Sequence, residues 1–244
     1  MEWYDPKELK VPILCVEYFG GEATGKTYNG LTFPKPALLD TEGKGIVVAR
    51  QLGIDKVTKA ESFFDVIDFV NTVINDPEIE TAVFDSSRDI VDMAEALTLE
   101  QLEKSGLYSS AGAVLYTHVY QKMDWIVQTL RAHNKNCVFT SRVKDEYKNN
   151  VRTGKQIRDG YKKAPYQFDV VIELTTLIEW DDEVYVLIEP VAKVYKNGFV
   201  RKGSSKPYLE VADYKTLVKE VFKPVDREKY MAEFLKPFIK QKEE

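Results

Sequence analysis

Along the first two-thirds of the chain, apolar positions follow two alternating rhythms. Short unbroken runs of strand length alternate with longer stretches in which apolar residues recur every three or four positions, the rhythm of a helix face. The run over roughly 12–18, centred on Ile13 to Tyr18, predicts a first strand. A short helix follows and ends at Pro34 and Pro36, since proline lacks the N–H a helix interior needs. Ala37-Leu38-Leu39 predicts a short buried strand, 46–53 a short helix ended by Gly53, and Lys56 to Ala60 a brief strand. From Ser62 the spacing of Phe63, Phe64, Val66, Ile67, Val70, Val73 and Ile74 predicts a core-packing helix closed by Asn75-Asp76-Pro77. Thr81 to Asp85 reads as a strand. Ile90–Leu102 and Leu107–Tyr120 carry helical signals broken at Gly106 and Gly112, Met123–Leu130 continues as helix, and Asn136–Thr140 is a fourth strand.

The rhythm then changes. Phe168–Leu174 is another strand, and Leu177–Ile188 reads as a hairpin turning at Asp181-Asp182. Val191–Tyr195 continues it, with Lys196-Asn197-Gly198 as a second hairpin turn. From about 205 the chain is polar, with helices expected over Tyr214–Phe222 and Arg227–Ile239 and fraying from Lys240. Strands alternating with helices predict an α/β fold: a mostly parallel sheet flanked by helices, with late antiparallel hairpin strands. The expected division is a domain over 1–204 and a helical extension over 205–244.

Composition changes this picture little. A length of 244 residues and a hydrophobic content of 44% suit one α/β domain with an appendage. The net charge of −5 excludes a chain that is basic throughout, so affinity for nucleic acid has to be local. Cys15 and Cys137 sit in apolar runs and read as buried thiols of a reducing compartment. No apolar stretch has transmembrane length and Met1-Glu-Trp-Tyr-Asp-Pro is not a signal peptide, so a cytoplasmic protein with no membrane partner is expected. His118 and His133 lack neighbours at metal-ligand spacing, and no zinc site is expected.

The chemistry concentrates where the first strand ends. Gly20-Gly21-Glu22-Ala23-Thr24-Gly25-Lys26-Thr27 fits the G-x-x-x-x-G-K-[ST] phosphate loop, with Tyr28 just beyond. Glycines let backbone N–H groups close on phosphate oxygens, Lys26 reaches the β/γ-phosphates, and Thr27 offers its hydroxyl to Mg²⁺. Asp85, ending its apolar strand about sixty residues later, is the expected holder of the Mg²⁺ water shell. Glu42 follows Leu38-Leu39-Asp40-Thr41, on a strand expected beside the one that carries the loop. Two readings stand for it: a carboxylate that polarises the attacking water, or an ordinary acidic turn before Gly43-Lys44-Gly45. Thr140, Ser141 and Arg142 either sense the terminal phosphate or form a plain strand-end turn.

From Arg142 to Lys163 eight basic residues face three acidic ones, a local balance of +5 in a chain of −5. Beyond Arg142 these are Lys144, Lys148, Arg152, Lys155, Arg158, Lys162 and Lys163, interleaved with Tyr147, Tyr161 and Tyr166, with Gly154 and Gly160 as flexible points. Cations neutralise phosphates and aromatic rings stack on unpaired bases, which suits single-stranded DNA. A solvated charged loop, packed on a neighbouring subunit, is the other reading.

On Gly20–Thr27, Leu38-Leu-Asp-Thr-Glu-Gly43, Ala82-Val-Phe-Asp-Ser-Ser87 and Val138-Phe-Thr-Ser-Arg142, the chain resembles the RecA-like ATPase superfamily over roughly 11–200. Within it the chain is most similar to the compact viral and phage branch that includes the Sak-type single-strand-annealing ATPases. The resemblance implies a RecA-like P-loop core, ATP as substrate with Mg²⁺, and Glu42 as catalytic base, since Ser86 rather than a carboxylate follows Asp85. It also implies DNA contacts after Ser87 and over 143–166, and self-association into a ring or short filament. A neighbour's Lys193 and Lys196, with Arg201 and Lys202 behind them, would complete the site. Ser141-Arg142 stands where recombinases carry a glutamine sensor, and no N-terminal polymerisation domain is evident. The expected function is a Mg²⁺-dependent ATPase that binds single-stranded DNA in recombination, annealing or replication. A packaging or helicase-type motor on duplex nucleic acid and a nucleotide-switched scaffold are the alternatives.

Overall fold

A computed structural model describes residues 13–106, 111–180, 183–200, 206–223, 225–226, 229–231 and 233. Among these, β1 (Cys15–Gly20), β2 (Pro36–Asp40), β3 (Val57–Lys59), β4 (Thr81–Asp85), β5 (Asn136–Lys148) and β7 (Val170–Trp180) form a parallel sheet in the order β3-β2-β4-β5-β1-β7. Antiparallel strands β8 (Glu183–Asn197) and β9 (Tyr208–Leu209) extend it beyond β7. β6 (Val151–Asp159) pairs only with the outer half of β5. No helix among the described residues is long and apolar enough to cross a membrane.

Side-chain alternation divides the core into two layers, because successive residues of a strand face opposite sides. Cys15, Phe19, Leu39, Phe84, Cys137 and Phe139 pack against α3 (Phe63–Asn75), α4 (Ser87–Lys104) and α5 (Ala111–Ala132). Phe84 and Phe139 stack with ring centroids 4.5 Å apart. Val16, Tyr18, Leu38, Val83 and Val138 face the other way, toward Leu31 of α1 (Lys26–Leu31), Ala49 of α2 (Gly45–Gln51) and Leu217 of α7 (Tyr214–Glu220). Strands covered on both faces read as continuous apolar runs, which is why periodicity located them. At Ser62 a capping box starts α3: the hydroxyl accepts the Asp65 N–H and the Asp65 carboxylate accepts the Ser62 N–H.

Three expectations are corrected. Gly112 does not break a helix, because it lies in the first turn of α5, which runs on to Ala132; Leu107–Ser110 lie outside the described residues. Segment 142–163 is not a loop. β5 continues to Lys148, turns at Asn149 and Asn150 with φ of 51° and 63°, and returns as β6. Two positive φ values in a two-residue connection are the geometry that matches strand twist, and Asn tolerates it. Lys196-Asn197-Gly198 is not a tight hairpin, since β8 next pairs with β9, Ala192 facing Leu209. The turn at Asp181-Asp182 and most of Arg227–Ile239 lie outside the described residues.

Candidate active site

The cleft lies at the C-terminal edge of the parallel strands, where open α/β sheets bind ligands. The loop from Gly20 to Gly25 joins β1 to α1, and Gly25 precedes the helix at φ 86°. Gly20 has no substitute: a Cβ there would stand 2.3 Å from the Leu174 carbonyl oxygen of β7. Thr24 Oγ1 donates to the Gly21 carbonyl at 3.0 Å, bracing the turn. Lys26 folds back, its Nζ donating to the Gly20 and Gly21 carbonyls at 3.1 and 2.5 Å. Burial lowers the Lys26 pKa, opposed by the nearby carboxylates of Asp85 and Glu42.

Alternation puts Asp85 and Thr140 on the face where α1 packs, and the three elements meet. Asp85 Oδ2 accepts the Thr27 hydroxyl at 2.6 Å and Oδ1 accepts the Thr140 hydroxyl at 2.5 Å. Burial pushes the Asp85 carboxyl above its ordinary range; the two hydroxyls pull it down, while Glu42 and Asp40 push it further up.

Glu42 is held from both sides. Asp40 accepts the backbone N–H groups of Glu42 and Gly43 through Oδ1, at 3.1 and 2.8 Å, and that of Ile46 through Oδ2, at 2.9 Å. Thr41 N–H donates to the Asp85 carbonyl at 2.7 Å, and Thr41 Oγ1 accepts the Ser86 N–H at 2.9 Å. The side chain of Glu42 meets Arg142: Nε donates to Oε1 at 2.8 Å, and Nη2 lies 2.7 Å from the same oxygen as an ion pair. That contact holds the Arg142 pKa above its ordinary value. Glu42 does not leave a strand beside β1, as expected; β4 and β5 stand between β2 and β1. It reaches the cleft because the loops at this edge turn across it.

One cleft of about 520 Å³ is lined by Gly20, Gly21, Glu22, Ala23, Lys26, Thr27, Glu42, Asp85 and Arg142. Lys44, Val48, Val143 and Gln156 line it too and were not anticipated. Val143 and Gln156 belong to the β5–β6 ribbon, which the sequence shows only as a charged stretch. Tyr28 is half exposed and is not among the lining residues. Thr140 and Ser141 are buried, Thr140 on Asp85 and Ser141 on Glu17, leaving Arg142 as the member of that trio that lines the cleft.

A family model for an AAA domain matches residues 14–197. The chain belongs to that AAA domain family. No curated protein matches it. Membership indicates a nucleotide-binding ATPase, with ATP as substrate, and the sheet with its flanking helices and late hairpin is an α/β P-loop NTPase core.

Outside the cleft, the AAA domain sorts the remaining candidates by exposure. Tyr147 at 62% exposed, Lys148, Arg152 and Lys155 stand on the free part of the ribbon. Lys144 pairs with Asp159, Arg152 with Asp145, and Lys148 more loosely with Glu146 at 3.6 Å. Two candidates are misplaced as surface contacts. Tyr161 is fully buried, its hydroxyl donating to Asp124, and Arg158 is engaged in a buried ion pair with Glu17. Lys162 and Lys163 lie over the rings of Tyr116 and Tyr120. Lys193 lies over the Tyr195 ring, and Lys196 donates to the Phe168 carbonyl of its own chain. Arg201 and Lys202 lie outside the described residues.

Proposed function

We propose that the protein is a Mg²⁺-dependent ATPase in which Lys26 and the loop N–H groups hold the triphosphate, Thr27 and Asp85 hold the metal and its waters, and Glu42 takes the proton of the attacking water. The observation that carries this is the convergence of Thr27, Asp85, Lys26 and Glu42 on one cleft. The donor set suits Mg²⁺, a hard ion that takes one or two protein oxygens and fills its remaining positions with water and phosphate. When bound, the ion neutralises charge on the phosphates. Among the described residues no group of three or more His, Cys, Asp or Glu could hold a metal ion.

The partner we propose is single-stranded DNA laid along the β5–β6 ribbon, in recombination, annealing or replication, as in the Sak-type ATPases the chain resembles. Exposed Tyr147, with Tyr166 at the ribbon's foot, supplies stacking faces, and Lys148, Arg152 and Lys155 supply charge. A motor on duplex DNA is the second reading, favoured by the ribbon itself, since a two-stranded antiparallel ribbon fits a major groove. Assembly into a ring or short filament, with Lys193 and Lys196 reaching a neighbour's cleft, belongs to the same proposal.

Steady-state ATP hydrolysis with Mg²⁺, alone and with single-stranded or duplex DNA, is the test, with Lys26→Ala as background. We expect Lys26→Ala to abolish turnover, Glu42→Gln to abolish turnover while still binding ATP, and single strands to stimulate the wild type. Stimulation by duplex alone would select the motor. Indifference to both would leave an ATPase whose ribbon meets protein.

A further inference from the structure

A second cavity, of about 220 Å³, opens at the foot of the ribbon. Its floor is Phe19 of β1 and Val171 of β7, both buried. Its rim is Ile157 of β6, Pro165 of α6 (Ala164–Gln167) and Tyr195 of β8. Ile157 and Tyr195 are 41% and 59% exposed, so apolar surface gathers at the mouth. The Tyr195 ring is set in place: it meets Phe19 edge-on, with centroids 5.1 Å apart, and Lys193 Nζ stands 5.4 Å from its centre. Contiguous apolar surface left open to water marks a place where something binds.

Three polar side chains also line the cavity, and two of them are engaged. Arg158 donates through Nη1 to Glu17 and to the Tyr161 carbonyl, both at 2.7 Å, and through Nη2 to the Lys162 carbonyl at 3.2 Å. Lys196 donates to the Phe168 carbonyl. Gln156 is different. Its side chain has no hydrogen-bond partner among the described residues, and it stands in the wall shared with the nucleotide cleft.

Size, polarity and charge select the occupant. An apolar cavity of about 150 Å³ takes up one benzene ring, so this one suits a single larger flat ring system. An apolar side chain from a protein would fill the space but leave the Gln156 amide unpaired, which is unfavourable. A nucleobase offers flat faces to the apolar walls and an edge of donors and acceptors to the amide. Among the described residues no carboxylate lines the cavity, while two cations do. Lys155, one residue before Gln156, has no ion pair among the described residues and can take a flanking phosphate.

We propose that this cavity is a base-reading pocket, into which a single strand on the ribbon turns one adenine, its N6 and N7 meeting the Gln156 amide between Ile157, Pro165 and Tyr195. The inference rests on the single-stranded DNA reading of the ribbon. It adds a sequence preference, which charge and stacking alone do not supply. It also favours single strands over duplex, since an unpaired base leaves its stack at the least cost.

The test is fluorescence anisotropy at one salt concentration, without nucleotide. Labelled oligo-dT is compared with an oligomer of equal length carrying adenine at every third position, on full-length wild type, Gln156→Ala and Ile157→Trp. Wild type should prefer the adenine-bearing oligomer about fivefold or more, the low end of what a bidentate amide–base pair discriminates. Gln156→Ala removes the amide and Ile157→Trp fills the space. Each should bring the two oligomers within about twofold of each other, and oligo-dT should stay within about twofold of its wild-type affinity because the phosphate contacts are untouched. Gln156 is exposed, so Gln156→Ala decides the matter should the tryptophan lower the melting temperature. Wild type that binds neither oligomer removes the single-stranded DNA reading and the pocket with it. Wild type that binds both alike, or a preference that survives in Gln156→Ala, overturns the pocket and leaves that reading standing. Sedimentation without DNA covers the other occupant: a fall in mass with Ile157→Trp, without an adenine preference in wild type, would give the cavity to a second copy of the chain.

Discussion

Asp85 is the residue on which folding and chemistry pull apart. It ends an apolar strand, is only 6% exposed, and is pushed above its ordinary pKa of 3.8 chiefly by burial. An acid whose folded-state pKa is raised favours the folded chain in its protonated form. That contribution is complete at low pH and is lost as pH rises through the folded-state value. At neutral pH the ionised carboxylate therefore costs stability in the free protein. Asp85→Asn should melt above wild type in the absence of nucleotide, with a gap that grows as pH rises above the ordinary carboxylate value of 3.8. The same variant should lose the extra thermal stability that Mg²⁺ with a non-hydrolysable ATP analogue gives the wild type, which at a hundredfold excess over Kd is about 2.7 kcal/mol. A variant that melts lower than wild type at neutral pH would show that the hydroxyls of Thr27 and Thr140 outweigh burial.

At the scale of elements, the ribbon depends on a buried pair and the base on an exposed one, and magnitudes separate them. Arg158→Ala leaves the buried Glu17 carboxyl without its cation, to be protonated or to stay charged inside the sheet, and should cost about 3–5 kcal/mol in urea unfolding. Arg142→Ala removes a solvent-reached contact and should cost at most about 1 kcal/mol. A loss at Arg158 no larger than at Arg142 would mean that water reaches the Arg158–Glu17 pair. The parallel strands and α3 are legible in the sequence because burial on one or both faces imposes an apolar period on them. The ribbon is not, because beyond Ser141 the strand has left the core and is no longer required to alternate. Its turn is Asn149-Asn150, without the glycine that usually marks one. In the site, the phosphate loop and Asp85 are carried by residue type at fixed spacing. Asp40, Thr41 and Gln156 act through backbone turns and register, which spacing does not encode. The position of Glu42 is not legible in the chain, because strand order is a property of the sheet. Glu17 had one signal, a carboxylate inside an apolar run, whose cationic partner lies 141 residues away.

For the whole molecule the question is where a polyanion can approach a chain of net charge −5. Segment 142–163 carries +5, so the remainder carries −10 and would repel a polyanion, which leaves the ribbon as the surface for the proposed strand. The cations there are partly spent on their own neighbours: Lys144 on Asp159, Arg152 on Asp145, Lys148 on Glu146. These pairs are exposed and each is worth roughly 0–1 kcal/mol, so phosphates can take the place of the carboxylates. With Lys144, Lys148, Arg152 and Lys155 each neutralising one phosphate, the slope of log K against log salt for a single strand should be about −2 to −3. Lys155→Ala should flatten it by about 0.7, the share of one phosphate. Tyr147→Ala should weaken binding by about 1–3 kcal/mol for a stacked base and leave the slope alone, because stacking releases no counterion. Fluorescence anisotropy of labelled oligo-dT over a salt series separates these terms. A slope near zero, or one unmoved by Lys155→Ala, would place the strand off the ribbon and turn the ribbon toward a protein partner. A normal slope with Tyr147→Ala without effect would leave a charge-tracking surface that does not read unpaired bases, as duplex binding would require.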